Sequence, residues 1–251
     1  MNGNAAALLE VHALRKRFGG VVATDGVDLQ VRGGEVHALI GPNGAGKTTL
    51  VAQLAGQLAP DAGRIVFDGA DITAWSAHQR ARRGLGRSFQ ITRLFKSFSV
   101  LEHLALALQA VAGPSFGAWR PPQREAAQWQ AARAQLAALG LHDQADAPID
   151  ALSHGQRRAL EVGMAVAAAP RLVLLDEPMA GMGPDESARM EALIRDLARR
   201  TTMLLIEHDV DAVFRLAHRV SVLVNGRIIA SAAPDEVRRD PQVIAAYLGR
   251  E

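Results

Sequence analysis

The sequence predicts an α/β protein with a mixed central sheet, an antiparallel β region near its amino end and a helical insert in its middle. Three observations carry this expectation. Short apolar runs precede helical patterns three times, "EVHALI" before 48 to 58, "RLVLLD" before 185 to 199 and "TMLLIE" before 209 to 217. That alternation builds a parallel sheet covered on both faces. The stretches "LLEVHAL", "VVATDGVDLQV" and "RIVFDG" instead alternate apolar and polar residues, as antiparallel strands do. Between about 91 and 168, "VLEHLALALQAV" and "REAAQWQAARAQLAALG" have helical spacing and are parted by the Gly/Pro-rich "GPSFGAWRPPQ".

Taken in order, the amino end "MNGNAAALLEV" lacks the basic flank and long apolar stretch of an export signal. The strand "GLGRSFQ" ends on Gln90, and His208 follows "TMLLIE". Both are expected at the carboxyl edge of the sheet, where ligands of open α/β sheets bind. Inside the insert, Phe116, Trp119 and Trp129 read as buried packing rather than a ligand box. Asn225-Gly226 divides two apolar runs in "RVSVLVNGRIIAS", the signal of a type I′ hairpin. The 251 residues bury a sizeable core as one domain, 1–251, with the insert set into it.

Composition excludes several classes. The 28 basic residues include only Lys16, Lys47 and Lys96, so 28 − 3 = 25 are arginines, yet the net charge is only +2. That balance does not call for nucleic acid or an anionic membrane. With no cysteine, disulfides, thiolate metal sites and cysteine nucleophiles are ruled out, which suits the cytoplasm. No segment approaches the ~20 apolar residues of a membrane span, so a membrane role is expected to run through a partner.

The chemistry begins at "GPNGAGKTT", residues 41 to 49, which fits a phosphate loop between a strand and a helix. Gly41, Gly44 and Gly46 free the backbone to aim successive N–H groups at phosphate oxygens, with Pro42, Asn43 and Ala45 completing the turn. The following helix adds its positive dipole end. Lys47 offers a point charge to the outer phosphates, Thr48 a hydroxyl to magnesium, and Thr49 is the last candidate nucleotide contact of the loop. A carboxylate on a neighbouring strand end is then expected, and "RLVLLDE" supplies Asp176 for the metal. Glu177 points elsewhere and can take a proton from water.

More than 100 residues past the loop stands "LSHGQ", with Ser153, His154, Gly155 and Gln156 at the mouth of the helix "RRALEVGMAVAAA". A hydroxyl and a backbone N–H at a helix start suit a phosphate oxygen, but the chain's own phosphate loop is far away in sequence.

The set "GPNGAGKT", "RSFQ", "LSHGQ", "RLVLLDEP" and "IEHD", in this order along essentially the whole chain, resembles the ATPase subunit of an ATP-binding cassette (ABC) transporter. The resemblance implies a P-loop NTPase fold of the ABC ATPase type, with ATP and Mg2+ as ligands. It makes Gln90 the residue that senses magnesium and the membrane subunit, and His208 a contact to the γ-phosphate. It makes LSHGQ a latch that caps the ATP of a second ATPase subunit, identical or merely similar, so distance along the chain becomes part of the mechanism. Phe18 in "LRKRFGG" stands where many members stack a Tyr on adenine, keeping the ring and losing the hydroxyl. Gly183 in "PMAGMGP" replaces an aspartate usual in the family, and His154 replaces a glycine. His154 could touch the nucleotide or only fill that place.

The combination with "EPMAGMGP" and the carboxyl-terminal "VSVLVNGRIIASAAPDEVRRDPQVIAAYLG" resembles importers of branched-chain amino acids. That subgroup implies permease subunits, a periplasmic solute-binding protein and a place on the cytoplasmic face of the inner membrane, with no nucleic-acid partner. Phe95 and Phe98 in "QITRLFKSFSV" are candidate contacts to a permease, or pack on the insert. Lipopolysaccharide export is a rival within the family. A free P-loop kinase would need neither LSHGQ nor Gln90. A soluble cassette ATPase acting on DNA or ribosomes would show two cassettes or a long coiled coil.

Overall fold

The two patterns of alternation separate into two sheets. The computed structural model describes residues 7–88, 95–111, 122–167 and 169–248, so Gln90, Phe116 and Trp119 lie outside the described residues. Strands β1 (Ala7–Phe18), β2 (Val21–Arg32), β4 (Ala62–Phe67) and β5 (Ala70–Asp71) form an antiparallel sheet in the order β2, β1, β4, β5. The second sheet has the order β10, β9, β3, β8, β7, β6. It consists of β3 (Val36–Ile40), β6 (Leu85–Arg87), β7 (Leu172–Asp176), β8 (Thr202–Ile206), β9 (Arg219–Val224) and β10 (Arg227–Ala232). Its strands run parallel except at the β9/β10 edge; Val36 pairs with Met203 of β8, and Ala38 with Val220 of β9.

Every residue of β3, β7 and β8 is buried. Strands covered on both faces have no wet side, which is why these segments read as continuous apolar runs. The β9/β10 turn is the two-residue hairpin expected, with Asn225 at φ 48 and Gly226 at φ 77.

Helix α1 (Lys47–Leu54) lies between the sheets. Its Leu50 and Leu54 join Leu9 and Leu14 of β1 with Leu39 and Leu204 of the central sheet in one core. Arg80 of α2 (Ala77–Arg83), only 1% exposed, closes the end of α1. Its Nη1 donates to the carbonyls of Gln53 and Leu54, both at 2.7 Å, its Nη2 to Thr73 at 3.0 Å and its Nε to Trp75 at 3.1 Å. A helix end leaves carbonyls without partners, and the guanidinium fork supplies them. Burial lowers the Arg80 pKa to about 10, so the group remains charged at neutral pH. Arg80→Met is expected to lower the unfolding free energy by about 3 kcal/mol, since several buried carbonyls lose their donor. Urea denaturation reads this directly, and an unshifted midpoint would contradict it.

The middle of the chain supplies α3 (Val100–Val111), α4 (Pro122–Ala138) and α5 (His154–Ala167). Val100, Leu104, Leu136 and Leu160 pack among these helices, with the half-buried Trp129 against them. Helix α5 serves both regions. Its Val162 and Val166 reach the sheet, packing with Val173 and Leu175 of β7 and with Met190 and Ile194 of α6 (Pro184–Ala198). The start of α5, where LSHGQ lies, is thereby held against the elements that follow β7.

Candidate nucleotide site

The phosphate loop leaves β3 at Ile40 and enters α1 at Lys47. It is pressed between two strands. A Cβ on Gly41 would come 2.0 Å from the carbonyl oxygen of Leu223, and one on Gly46, at φ +105, 2.1 Å from that of Ala23. Only glycine lets the backbone lie this close. The β9/β10 hairpin fastens the arrangement: Gly226 N–H donates to the Ala45 carbonyl at 2.9 Å, and Asp25 N–H donates to the Gly226 carbonyl at 2.8 Å. Lys47 Nζ donates to the carbonyls of Gly41 at 2.6 Å and Pro42 at 3.1 Å, wrapping the loop around its ammonium. Among the described residues nothing accepts a hydrogen bond from the amides of Asn43, Gly44 or Gly46. Such a glycine-rich turn with unspent donors fits an anion of phosphate size. Thr48 is exposed at the start of α1 and Thr49 half-buried.

Phe18 ends β1, half-exposed on the hairpin whose second strand touches Gly46; Lys16 Nζ sits 5.8 Å from its ring centroid. An exposed ring beside a phosphate loop has a free face for a base.

The acids take two directions, as successive residues at a strand end do. Asp176 closes β7 with its side chain 1% exposed and accepts from Arg87 Nη2 at 3.1 Å. Arg87, at the end of β6, also donates to Gln57, while its buried Nε has no partner among the described residues. Ser88 Oγ accepts the Asp176 amide at 3.3 Å. Glu177 turns the other way, with φ +51, and its Oε1 lies 2.5 Å from His208 Nε2. Burial pulls the Lys47 ammonium below the ordinary lysine value, and the carboxylates of Glu177 and Asp176 only partly oppose it. An arriving phosphate would add to that opposition and favour the charged form.

Sequence reasoning did not reach Arg87 or Glu207. Glu207, 3% exposed, accepts the Met179 amide on Oε1 at 2.7 Å and the His208 amide on Oε2 at 3.2 Å. Burial pushes its carboxyl above the usual range. One carboxylate thus holds the chain after Glu177 and the backbone of His208. The available signal was a charged residue beside a polar strand end, in "RSFQ" and in "IEHD".

LSHGQ opens α5. Ser153 Oγ accepts the Gln156 amide at 3.2 Å while Ser153 N–H donates to Gln156 Oε1 at 2.9 Å, a reciprocal cap of the helix start. Glu186 of α6 accepts from Ser153 Oγ at 3.2 Å and from Gly155 N–H at 3.3 Å through the same Oε1. His154 Nε2 lies 3.1 Å from the Ala180 carbonyl. These contacts border a cavity of about 440 Å³ between α5 and α6, lined among others by Leu141, Arg189 and Met190. No hydrogen bond or ion pair joins LSHGQ to residues 41–49 among the described residues.

Gly183 precedes α6 at φ −73, with nothing within 4 Å of an added Cβ. Neither backbone nor space requires glycine there. Phe95 is 53% exposed and Phe98 half-buried; their rings stand 5.1 Å apart, and Phe95 N–H donates to His103 Nε2 at 2.9 Å.

The structure therefore brings Lys47, Asp176, Glu177 and His208 to one edge of the central sheet. Thr48 and Asp176 offer hydroxyl and carboxylate oxygens, and no group of three or more His, Cys, Asp or Glu able to hold a metal exists among the described residues. That donor set suits magnesium, which keeps several waters and binds beside phosphates.

The chain's similarity to known proteins bears on the family. Residues 24–180 match the family model described as ABC transporter, and residues 227–251 match that described as branched-chain amino acid ATP-binding cassette transporter. The chain is 38% identical to the high-affinity branched-chain amino acid transport ATP-binding protein BraF of Pseudomonas aeruginosa, over 96% of this chain and 98% of the relative. It is 37% identical to the lipopolysaccharide export system ATP-binding protein LptB of Acidithiobacillus ferridurans, over 96% and 97% respectively. Among solved structures, the ADP conformation of MJ1267, an ATP-binding cassette of an ABC transporter, superposes with a TM-score of 0.85 at 30% identity, covering 98% of this chain and all of that one. The chain belongs to the ABC transporter family, as an ATP-binding and ATP-hydrolysing cassette similar to those of branched-chain amino acid transport.

Proposed function

We propose that this chain powers import of branched-chain amino acids or related small solutes, as one of two cassettes beneath permease subunits. The match of residues 227–251 to the branched-chain amino acid cassette model carries the solute class, and the Glu177 to His208 pair, 2.5 Å apart, on the sheet edge that also presents Asp176 and, by its effect on charge, Lys47, carries the hydrolysis that powers it. The phosphate loop holds the ATP phosphates, and Phe18 stacks on the adenine. Thr48, Asp176 and, from the resemblance, Gln90 would hold a magnesium ion, which neutralises phosphate charge when bound. Glu177 accepts a proton from the water that attacks the γ-phosphorus, and the bond to the bridging oxygen breaks to leave ADP and inorganic phosphate. His208 Nε2 holds the Glu177 carboxylate before ATP arrives and, having a single N–H, gives up that contact to donate to the γ-phosphate.

Ser153 and Gly155 would meet the γ-phosphate of a second cassette. In the single chain their donors are engaged by Glu186, so closure exchanges a carboxylate for a phosphate. Ser153→Ala is expected to leave ATP binding to the single chain intact while weakening ATP-driven dimerisation, read by light scattering against ATP concentration. The reverse pattern would sink the latch.

No helix among the described residues is long and apolar enough to cross a membrane, which fits a subunit bound peripherally at the cytoplasmic face. The transport reading is tested by uptake of labelled leucine into a strain deleted for this chain, with and without the chain restored and a solute-binding protein supplied. Uptake that ignores the chain, together with a defect in lipopolysaccharide transport, would favour the export reading instead.

A further inference from the structure

The turn that carries Glu177 is held from two sides, and one hold comes from the LSHGQ loop. Ala180 N–H donates to the carbonyl of Glu177 at 3.2 Å, and the carbonyl of Ala180 lies 3.1 Å from His154 Nε2. Next to it, the Met179 amide is tied to the buried Glu207. Two hydrogen bonds in series thus connect the backbone of the proposed base to the imidazole of His154. A carbonyl only accepts, so Nε2 carries the proton in this contact, as it does in one neutral tautomer and in the cation. Glycine, the residue the family pattern has at this place, offers no such donor.

The other contacts of the loop behave differently. Ser153 Oγ and Gly155 N–H both point at Glu186, and a phosphate oxygen would need those same donors. The Glu186 contact and a phosphate contact exclude each other, whereas the His154 contact spends neither donor and is compatible with both states. It is therefore a hydrogen-bonded link that persists while the loop gains or loses a partner's phosphate.

Resting on the two-cassette reading above, we infer that His154 is a positioning residue that ties the loop serving one nucleotide to the turn carrying the base for the other. Movement of LSHGQ onto a phosphate is felt by Glu177 of the same chain through Ala180. The two sites of the dimer are linked through each chain's own backbone, and His154 does not touch nucleotide.

The test compares the parent, His154→Ala and His154→Gln in the purified dimer, whether of two copies or with a sister cassette. Binding of trinitrophenyl-ATP is expected to be the same in all three. For His154→Ala, kcat falls about fivefold and the sigmoid dependence on ATP flattens, the size of effect one hydrogen bond transmits between sites. His154→Gln, whose amide keeps an N–H donor, restores both. An unchanged kcat and unchanged cooperativity in His154→Ala would overturn the inference. So would a loss confined to nucleotide affinity, which would make His154 a direct contact. The Glu177→Gln variant separates the two levels: no ATP-driven dimer there defeats the two-cassette reading itself, whereas a dimer there, with kcat and cooperativity unchanged in His154→Ala alone, defeats only the link.

Discussion

Glu177→Gln is expected to lower steady-state ATP hydrolysis by about 10² to 10⁴-fold, the contribution of a positioned base, while nucleotide binding survives. The substitution is nearly isosteric. Glutamine keeps an oxygen for His208 Nε2, now 2.5 Å from the carboxylate, and leaves undisturbed the backbone bond from the residue 177 amide to the Ile206 carbonyl at 2.9 Å. What disappears is the basic oxygen pair. With ATP bound and unable to turn over, the latch stays engaged, so a stable dimer should accumulate on light scattering. Single-turnover hydrolysis is the decisive measurement, and a normal rate would remove Glu177 from the mechanism.

Lys47→Ala is expected to weaken ATP binding by about 10 to 100-fold, the loss of charge-assisted hydrogen bonds to the outer phosphates. Two effects add. The ammonium is a buried positive charge near Asp176 and Glu177, so removing it leaves an acidic site that repels a polyanion. It also spans the loop through Gly41 and Pro42, and without it the amides lose the frame that aims them. Titration with a fluorescent ATP analogue measures the loss. Lys47→Arg keeps the charge but not the compact point donor, so it should bind more tightly than Lys47→Ala and less tightly than the parent. Unchanged affinity in Lys47→Ala would exclude the phosphate loop as the binding site.

Much of the fold and of the candidate site was legible because it is written in short segments. The three buried strands β3, β7 and β8 are apolar throughout, and burial on both faces imposes that on any sequence. Gly41 and Gly46 had to be glycine because carbonyls of two other strands press against them, so the constraint shows as residue type. Asn225-Gly226 announced its hairpin because few other residues accept two positive φ angles in succession. The insert was less sharply bounded in space than in sequence. Helix α5 packs on both the helical core and the sheet, since its two faces serve different neighbours.

Less legible were the pairs made by residues far apart along the chain. Arg87 meets Asp176 across 89 positions, Ser153 meets Glu186 across 33, and His154 meets Ala180 across 26. Nothing in a local pattern couples them, because hydrogen bonds and ion pairs depend on distance in space and not on spacing in sequence.

Read alone, the residues were enough for the α/β class and the order of motifs, and they marked the candidate phosphate loop and the two candidate acids, all consequences of local backbone geometry and of burial. Which charges meet emerges on folding: Asp176 pairs with Arg87, Glu186 occupies the donors of LSHGQ, and His154 faces the chain behind Glu177. Side-chain ends several bonds from the backbone are placed by the packing of α5, α6 and the sheet edge, and that packing exists only once the chain has folded.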